Sequence, residues 1–260
     1  MKLSKVSSKD NILKFEIKDG NDWYINTLRR YMLSETPTMA IELVEFKKND
    51  SILYDEVLAH RLGLVPLTTD LESYRLPTSE EVETKEYLAQ SSCKLTLQAK
   101  GPGIVYAKDL KSKDPKVKPV FPDMPIAKLL ENQEIEFEAT AVLGVGKVHS
   151  KWNPAHVYYR KIPTITIKHP ENLAAAQACP NGTLVEKGGK VQLTNEHNCI
   201  LCNTCVDIDG GKSVSVEQGN NYLFCVESWG QLSTEEIVKT ALDVYTKQLK
   251  EFDHIIKNLE

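Results

Sequence analysis

At 260 residues, 41% of them hydrophobic, the chain is long enough to bury a large core and to form two or three domains. Its 32 Lys and Arg against 36 Asp and Glu leave a net charge of −4, which excludes the basic stripe of a dedicated nucleic-acid binder. Membership of a complex whose other subunits hold DNA stays open. No apolar run of roughly 18 residues is present, and the opening MKLSKVSSKD has no apolar stretch behind its charges, so a soluble, cytoplasmic protein without membrane contact is expected.

Leu13, Phe15 and Ile17 alternate with Lys14, Glu16 and Lys18, as in a strand with one wet face. The turn Asp19-Gly20-Asn21-Asp22 leads into a helix, with Asp22 at its N-cap and Ile25, Leu28 and Met32 on its buried face. Pro37 stops that helix, and Met39, Ile41 and Leu43 then alternate with Ala40, Glu42 and Val44 as a strand. Asp55 can cap a second helix that turns Leu58 and Leu62 inward and is closed by Gly63. Residues 68–90 are polar and acidic, a solvated connection or short exposed helix.

Residues 93–100 alternate cleanly with Leu95, Leu97 and Ala99 on one side, and Gly101-Pro102-Gly103 points to a hairpin with 104–107. Lys108, Lys111, Lys113, Lys116 and Lys118 lie in a stretch broken by Asp109, Asp114 and Pro115 and free of aromatics; it reads as a charged loop rather than a phosphate-binding patch. Residues 126–130 read as a short helix. Ile135, Phe137, Ala139 and Ala141 alternate with glutamates as a half-wet strand, and 157–159 and 164–168 give two more strands flanking Pro163. Residues 68–168 thus form a strand-rich insertion.

Cys199, Cys202 and Cys205 follow C-x2-C-x2-C, and Cys179-Pro180 lies upstream. In bacterial-type ferredoxins a C-x2-C-x2-C-x3-C-P run is used twice, and the fourth Cys of each run serves the other cluster. Laid on this chain, the template finds one ligand set complete: Cys179, Cys199, Cys202 and Cys205. The other set is gone, with His169, Asn172, Ala175 and Asp209 at its positions. Four thiolates at this spacing favour one iron–sulfur cluster, 4Fe–4S as first expectation and 3Fe–4S as a form left by aerobic handling. Structural zinc, which usually pairs two short knuckles, is the alternative. Residues 174–178 read as a helix, and 183–186 and 190–193 flank Gly188-Gly189 as a hairpin, which together suggest a ferredoxin-like insert over residues 169–212. With a second carrier site lost, the cluster reads as structural. Cys93 and Cys225 sit in apolar strands and read as buried thiols.

No catalytic residues emerge. Gly144-x-Gly146-Lys147 lacks the glycine spacing and the following Ser or Thr of a P-loop, and Asp207-x-Asp209 lacks a third carboxylate for magnesium. Near the end, Ser233 and Glu236 form a capping box. From it Val238, Leu242, Tyr245, Leu249, Phe252, Ile256 and Leu259 recur at alternating steps of four and three, a heptad seam without Gly or Pro. A helix of about 26 residues, roughly 39 Å, outruns an opening helix of about 13, so its distal half should stand exposed as a partner surface.

NTLRR at 26–30, S-E-x-P-x-M-A-I at 34–41, L-Y-D-E-x-L-A-H-R-L-G-L-V-P-L at 53–67 and G-V-G-K-V-H-S-K-W-N-P at 144–154 resemble the α-like assembly subunits of cellular RNA polymerases. The nearest resemblance is to the archaeal D subunits, counterparts of the third-largest subunit of eukaryotic polymerase II. It continues through the cysteines and the last helix. It implies an α+β fold with a discontinuous dimerisation domain (residues 1–45 and 226–260), an inserted strand-rich domain (46–168 and 213–225) and the ferredoxin-like iron–sulfur domain (169–212). It also implies a non-catalytic platform within a nucleotidyltransferase. The platform would heterodimerise with the small α-like subunit L along the seam, be joined by the small zinc subunits N and P, dock the large catalytic subunits and make little or no direct DNA contact. A soluble single-cluster ferredoxin-like redox protein is the alternative.

Overall fold

The computed structural model describes residues 1–259. The chain runs through β1 Lys2–Lys9, β2 Ile12–Lys18, α1 Asp22–Ser34, β3 Pro37–Asn49, α2 Asp55–Gly63 and α3 Ser79–Thr84. Next come β4 Ser92–Lys100, β5 Gly103–Tyr106, β6 Lys111–Ser112, β7 Pro125–Leu129, β8 Glu134–Val145 and β9 Ala155–Ile167. α4 Ala174–Gln177, β10 Leu184–Lys187, β11 Lys190–Leu193, α5 Thr204–Asp207, β12 Val214–Ser228 and α6 Thr234–Lys257 complete it. These elements fall into two compact units. One holds Met1–Lys9, Leu13–Thr27 and Tyr158–Cys225; the other holds Asp10–Ile12, Leu28–Val157 and Val226 onward.

The first unit is built on a sheet of order β1-β2-β12-β9. Leu13, Phe15 and Ile17 are buried as their alternation predicts, and Phe15 stacks on Phe224 at 5.1 Å between ring centres. β9 is one strand rather than two. It is the sheet edge, a position where a proline is tolerated within a strand. Asp22 is not the N-cap of α1 but its first residue. Its carboxylate accepts from the Tyr222 hydroxyl at 2.8 Å and from Lys161 Nζ at 3.1 Å, which holds it below the usual carboxylate range. Burial first, and then this same bond, pushes the Tyr222 phenol up to about 12. The start of α1 is thereby tied to β12 and β9.

In the second unit β3, β8, β4 and β6 form a sheet, and β5 pairs only with β7. Its core gathers Met39, Ile41, Leu95, Leu97, Phe137 and Ala139 from the sheet with Leu58 and Leu62 from α2. The alternation of β3 changes phase at a bulge between Ile41 and Leu43. An extra residue inverts the faces beyond it, so Val44 and Phe46 reach the core in place of Leu43. Tyr54, not Asp55, precedes the first turn of α2; Asp55 instead accepts from Asn49 Nδ2 at 2.7 Å. The turn at 101–103 does not close a hairpin, since β4 pairs with β8 and β6. Residues 126–130, expected as a helix, fall on strand β7, where Ile126, Ala127 and Leu129 are buried; five residues are too few to repay helix nucleation, while β5 offers a ready ladder.

The acidic connection 68–90 carries the short, largely exposed helix α3, as one of the two readings of its sequence expects, and is tethered at Glu81. Glu81 is buried and accepts from Arg75 Nη1 and Nη2 (2.8 and 3.2 Å), from the Thr78 and Leu88 backbone N–H groups (2.7 and 3.1 Å) and from the Ser91 hydroxyl (2.7 Å). The Arg75 guanidinium above all holds its carboxyl well below the ordinary range.

The glycines of G-V-G-K have a packing role. A Cβ on Gly144 would lie 2.3 to 2.8 Å from ring atoms of Trp152, and one on Gly146 would lie 2.2 Å from the Leu33 carbonyl oxygen. The Trp152 ring is held by its Nε1 bond to the Val142 carbonyl (3.2 Å), which a shift away from Gly144 would strain. Gly144→Ala should therefore destabilise by about 1–3 kcal/mol or more, as overpacking does. Chemical denaturation checks this: an unchanged midpoint would refute the assigned role.

Candidate functional site

The second half of the first unit brings the four cysteines together. Cys179 follows α4, Cys199 and Cys202 lie in the loop ahead of α5, and Cys205 is within it. All four line one pocket of about 380 Å³, with the apolar side chains of Ile165, Leu184, Ile200 and Val216 around them. The loop reaches this shape through two residues in the left-handed region, Leu201 (φ 59°) and Asn203 (φ 61°), one in each x2 spacer. For a leucine this conformation costs energy, and it shortens the path between successive sulfurs. Arg160 on β9 anchors the loop from outside, donating to the carbonyl oxygens of Cys199 (3.0 Å) and His197. No sequence signal announces Arg160, since its partners lie far along the chain.

The surroundings of the sulfurs suit thiolate chemistry. The Leu201 N–H points at Cys199 Sγ at 3.4 Å, and the Thr204 hydroxyl donates to Cys202 Sγ at 3.3 Å. Burial pushes the Cys179 thiol up, but the N–H groups of Leu184, Thr183 and Asn181 outweigh it and lower its pKa overall. Cys205 is pushed up, by burial first and then by the neighbouring charges of Cys179, Cys199 and Cys202. The buried Thr183 hydroxyl also lines the pocket and helps lower the Cys179 pKa. Sulfur-only donors, backbone N–H groups aimed at them and an apolar wall are what an iron–sulfur cluster requires. Among the described residues no three His, Cys, Asp or Glu side chains are drawn together for a single ion.

The positions lacking cysteines have other tasks. Asn172 Nδ2 donates to Asp209 Oδ2 (3.1 Å) and to the Ser213 hydroxyl (2.9 Å), while Asp209 also accepts from the N–H groups of Lys212 and Ser213 (both 3.0 Å). Hydrogen bonding, led by Ser213, holds Asp209 below the usual carboxylate range. Ala175 is packed with Leu184, Val191 and Val214 in the module's small core. The β10–β11 turn pairs Lys187 with Lys190 across Gly188 and Gly189, both at positive φ (61° and 69°), as a two-residue hairpin needs. Cys93 and Cys225 are buried thiols.

The second feature lies in the second unit. α6 is 24 residues long, with the Ser233–Glu236 capping box formed. Ile237 and Ala241, just beside the predicted seam, are fully buried. Val238, Leu242 and Tyr245 are half-buried, and Tyr31 of α1 meets this region through its ring on Tyr245 (4.8 Å) and its hydroxyl on Gln248 Oε1 (2.5 Å). Beyond that point Leu249 (48%), Phe252 (60%), Ile256 (46%) and Leu259 (79%) are exposed, joined by Ile255, which the heptad pattern omits. The buried face is thus offset from the heptad stripe, and the small Ala241 within it gives little apolar signal in the sequence.

Comparison with known proteins decides the family. Residues 44–165 match the family model of the RNA polymerase Rpb3/RpoA insert domain. The chain is 38% identical to DNA-directed RNA polymerase subunit Rpo3 of Pyrococcus furiosus over 254 residues, covering 95% of this chain and 94% of that protein. It is 39% identical to the Rpo3 subunit of Methanothermobacter thermautotrophicus (94% of each chain) and 34% identical to that of Archaeoglobus fulgidus (98% and 97%). The chain belongs to the archaeal RNA polymerase subunit Rpo3 family. With Rpo3 relatives matched end to end, the ferredoxin-like redox carrier weighed from the cysteine run gives way to the polymerase reading. Among the described residues no helix is long and apolar enough to cross a membrane.

Proposed function

We propose that this chain is the non-catalytic assembly platform of a DNA-dependent RNA polymerase. The similarity to Rpo3 subunits over nearly the full length of both chains is the observation that carries this reading. The platform heterodimerises with the small α-like subunit L through Val238, Leu242, Tyr245, Leu249, Phe252, Ile256 and Leu259. The small zinc subunits N and P and the two large catalytic subunits complete the assembly in the cytoplasm. The exposed distal half of α6 supports an intermolecular seam, because an apolar stripe of this kind normally has a partner. Residues 1–45 and 226–260 are assigned to the dimerisation domain, 46–168 and 213–225 to the inserted domain, and 169–212 to a ferredoxin-like module.

In that module Cys179, Cys199, Cys202 and Cys205 are the proposed ligands of one iron–sulfur cluster, 4Fe–4S with 3Fe–4S as its oxidised remnant. The ligand spacing and the shared pocket support it. Bound there, the cluster would act as a covalent staple for a module with little core of its own.

A tagged chain purified from native cells should bring down the large polymerase subunits and L; recovery without any polymerase subunit would refute the platform reading. Alone, the chain should synthesise no RNA and bind duplex DNA only weakly, because a net charge of −4 supplies little counterion release. Tight, salt-steep binding to random duplex in a titration would contradict this.

A further inference from the structure

Within the second unit an open groove of about 620 Å³ lies beside the C-terminal end of α2. Its apolar lining includes Leu64, Phe121 and Trp229, exposed by 49%, 46% and 43%, with Met124 continuing it into a neighbouring hollow at Arg61. The groove is stiff. The Gln231 carbonyl accepts from Thr69 N–H at 2.9 Å, the Trp229 N–H donates to the Pro154 carbonyl at 3.0 Å, and Gly230 between them (φ 94°) leaves no space for a Cβ against Val120.

Two polar groups there lack counterparts. Gln231 is 4% exposed and lines the groove, yet its Oε1 has no hydrogen-bond partner, a costly state for a buried acceptor. Arg61 donates from Nε to the Ile126 carbonyl (3.0 Å) and from Nη2 to the Pro125 carbonyl (2.9 Å), but no carboxylate among the described residues pairs with its charge. No Asp or Glu lines either hollow.

We propose that this groove docks an extended, acidic polypeptide segment of another polymerase subunit. An apolar side chain of the segment sits between Leu64, Phe121 and Trp229, a peptide group meets the Gln231 carboxamide, and a carboxylate neutralises Arg61. Trp and Arg side chains that become buried on binding are the usual centres of protein interfaces, and a carboxylate on Arg completes a charge-assisted pair. The inference rests on the platform reading and gives it an address outside the α6 seam.

The test is polymerase reconstituted with the full chain carrying a photo-crosslinking residue in place of Leu64. One peptide of another subunit, with Asp or Glu beside an apolar residue, should be captured. Arg61→Glu and Leu64→Asp should each lower recovery of that subunit at least about tenfold, while pairing with L is unchanged. Because Arg61 also holds two carbonyls, the half-exposed Leu64→Asp decides if Arg61→Glu melts early. Cross-links only within the chain or to nucleic acid, or full recovery with Leu64→Asp, overturn the docking proposal and leave the platform reading standing. Failure of the wild-type chain to assemble removes both.

Discussion

Leu249→Ala combined with Phe252→Ala is expected to abolish pairing with the small α-like subunit while leaving the chain itself folded. Both side chains are about half exposed or more in the isolated chain, so their removal should change its own stability by no more than about 0.5 kcal/mol each. In the proposed heterodimer the same groups would be apolar anchors, where truncation costs about 2 kcal/mol or more per residue. Two such losses weaken the complex about a thousandfold, since each 1.4 kcal/mol is tenfold in Kd. Ile237→Ala makes the contrast. It lies one residue from the seam but is fully buried, and should cost about 2–5 kcal/mol of folding stability. Co-elution of the double variant with L at wild-type affinity would place the seam inside the chain instead.

The seam shows where sequence patterning succeeds and where it stops. Periodicity finds α6 and α1 because Ile25, Leu28 and Met32 repeat on one face, and it finds β2, β4 and β8 because their apolar residues alternate. It misses the most buried face of α6, since Ala241 is fully buried but adds little hydrophobic weight. It loses phase at β3, where a bulge between Ile41 and Leu43 leaves no compositional trace. β1 is invisible because every residue in it is exposed and nothing alternates. β7 fails for another reason: its structure depends on β5, remote in sequence. In the acidic connection the short exposed helix is legible, but the Arg75–Glu81–Ser91 cluster that ties it down is not. The gathering of the four cysteines is foreshadowed by their spacing, since two-residue spacers keep Cys199, Cys202 and Cys205 close along the chain. The anchoring of their loop by Arg160 and the contact of Asn172 with Asp209 arise only on folding.

Those local bonds set the outcome of Cys202→Ser, which should remove the iron and loosen residues 169–212 without disturbing the α6 seam. Within residues 169–212 only Ala175, Leu184 and Val191 are buried apolar core, and they lean on Val214 of β12 and on Ile165 and Ile167 of β9, so the segment has little core of its own. Leu201 and Asn203 hold left-handed conformations that need an external restraint, and four metal-bound thiolates would provide it. With one ligand lost, the loop retains the Arg160 carbonyl contacts and the Asn172–Asp209 pair, so local opening rather than global unfolding is expected. Limited proteolysis between residues 169 and 212 should accelerate by at least about tenfold, the effect of about 1.4 kcal/mol of local stability. Serine keeps the size and polarity of the side chain but not the soft thiolate, so iron and labile sulfide should fall together while pairing with L persists. Stoichiometric zinc without iron or sulfide in the wild-type chain would overturn the cluster assignment. Loss of L binding in the variant would show instead that the module and the seam are not independent.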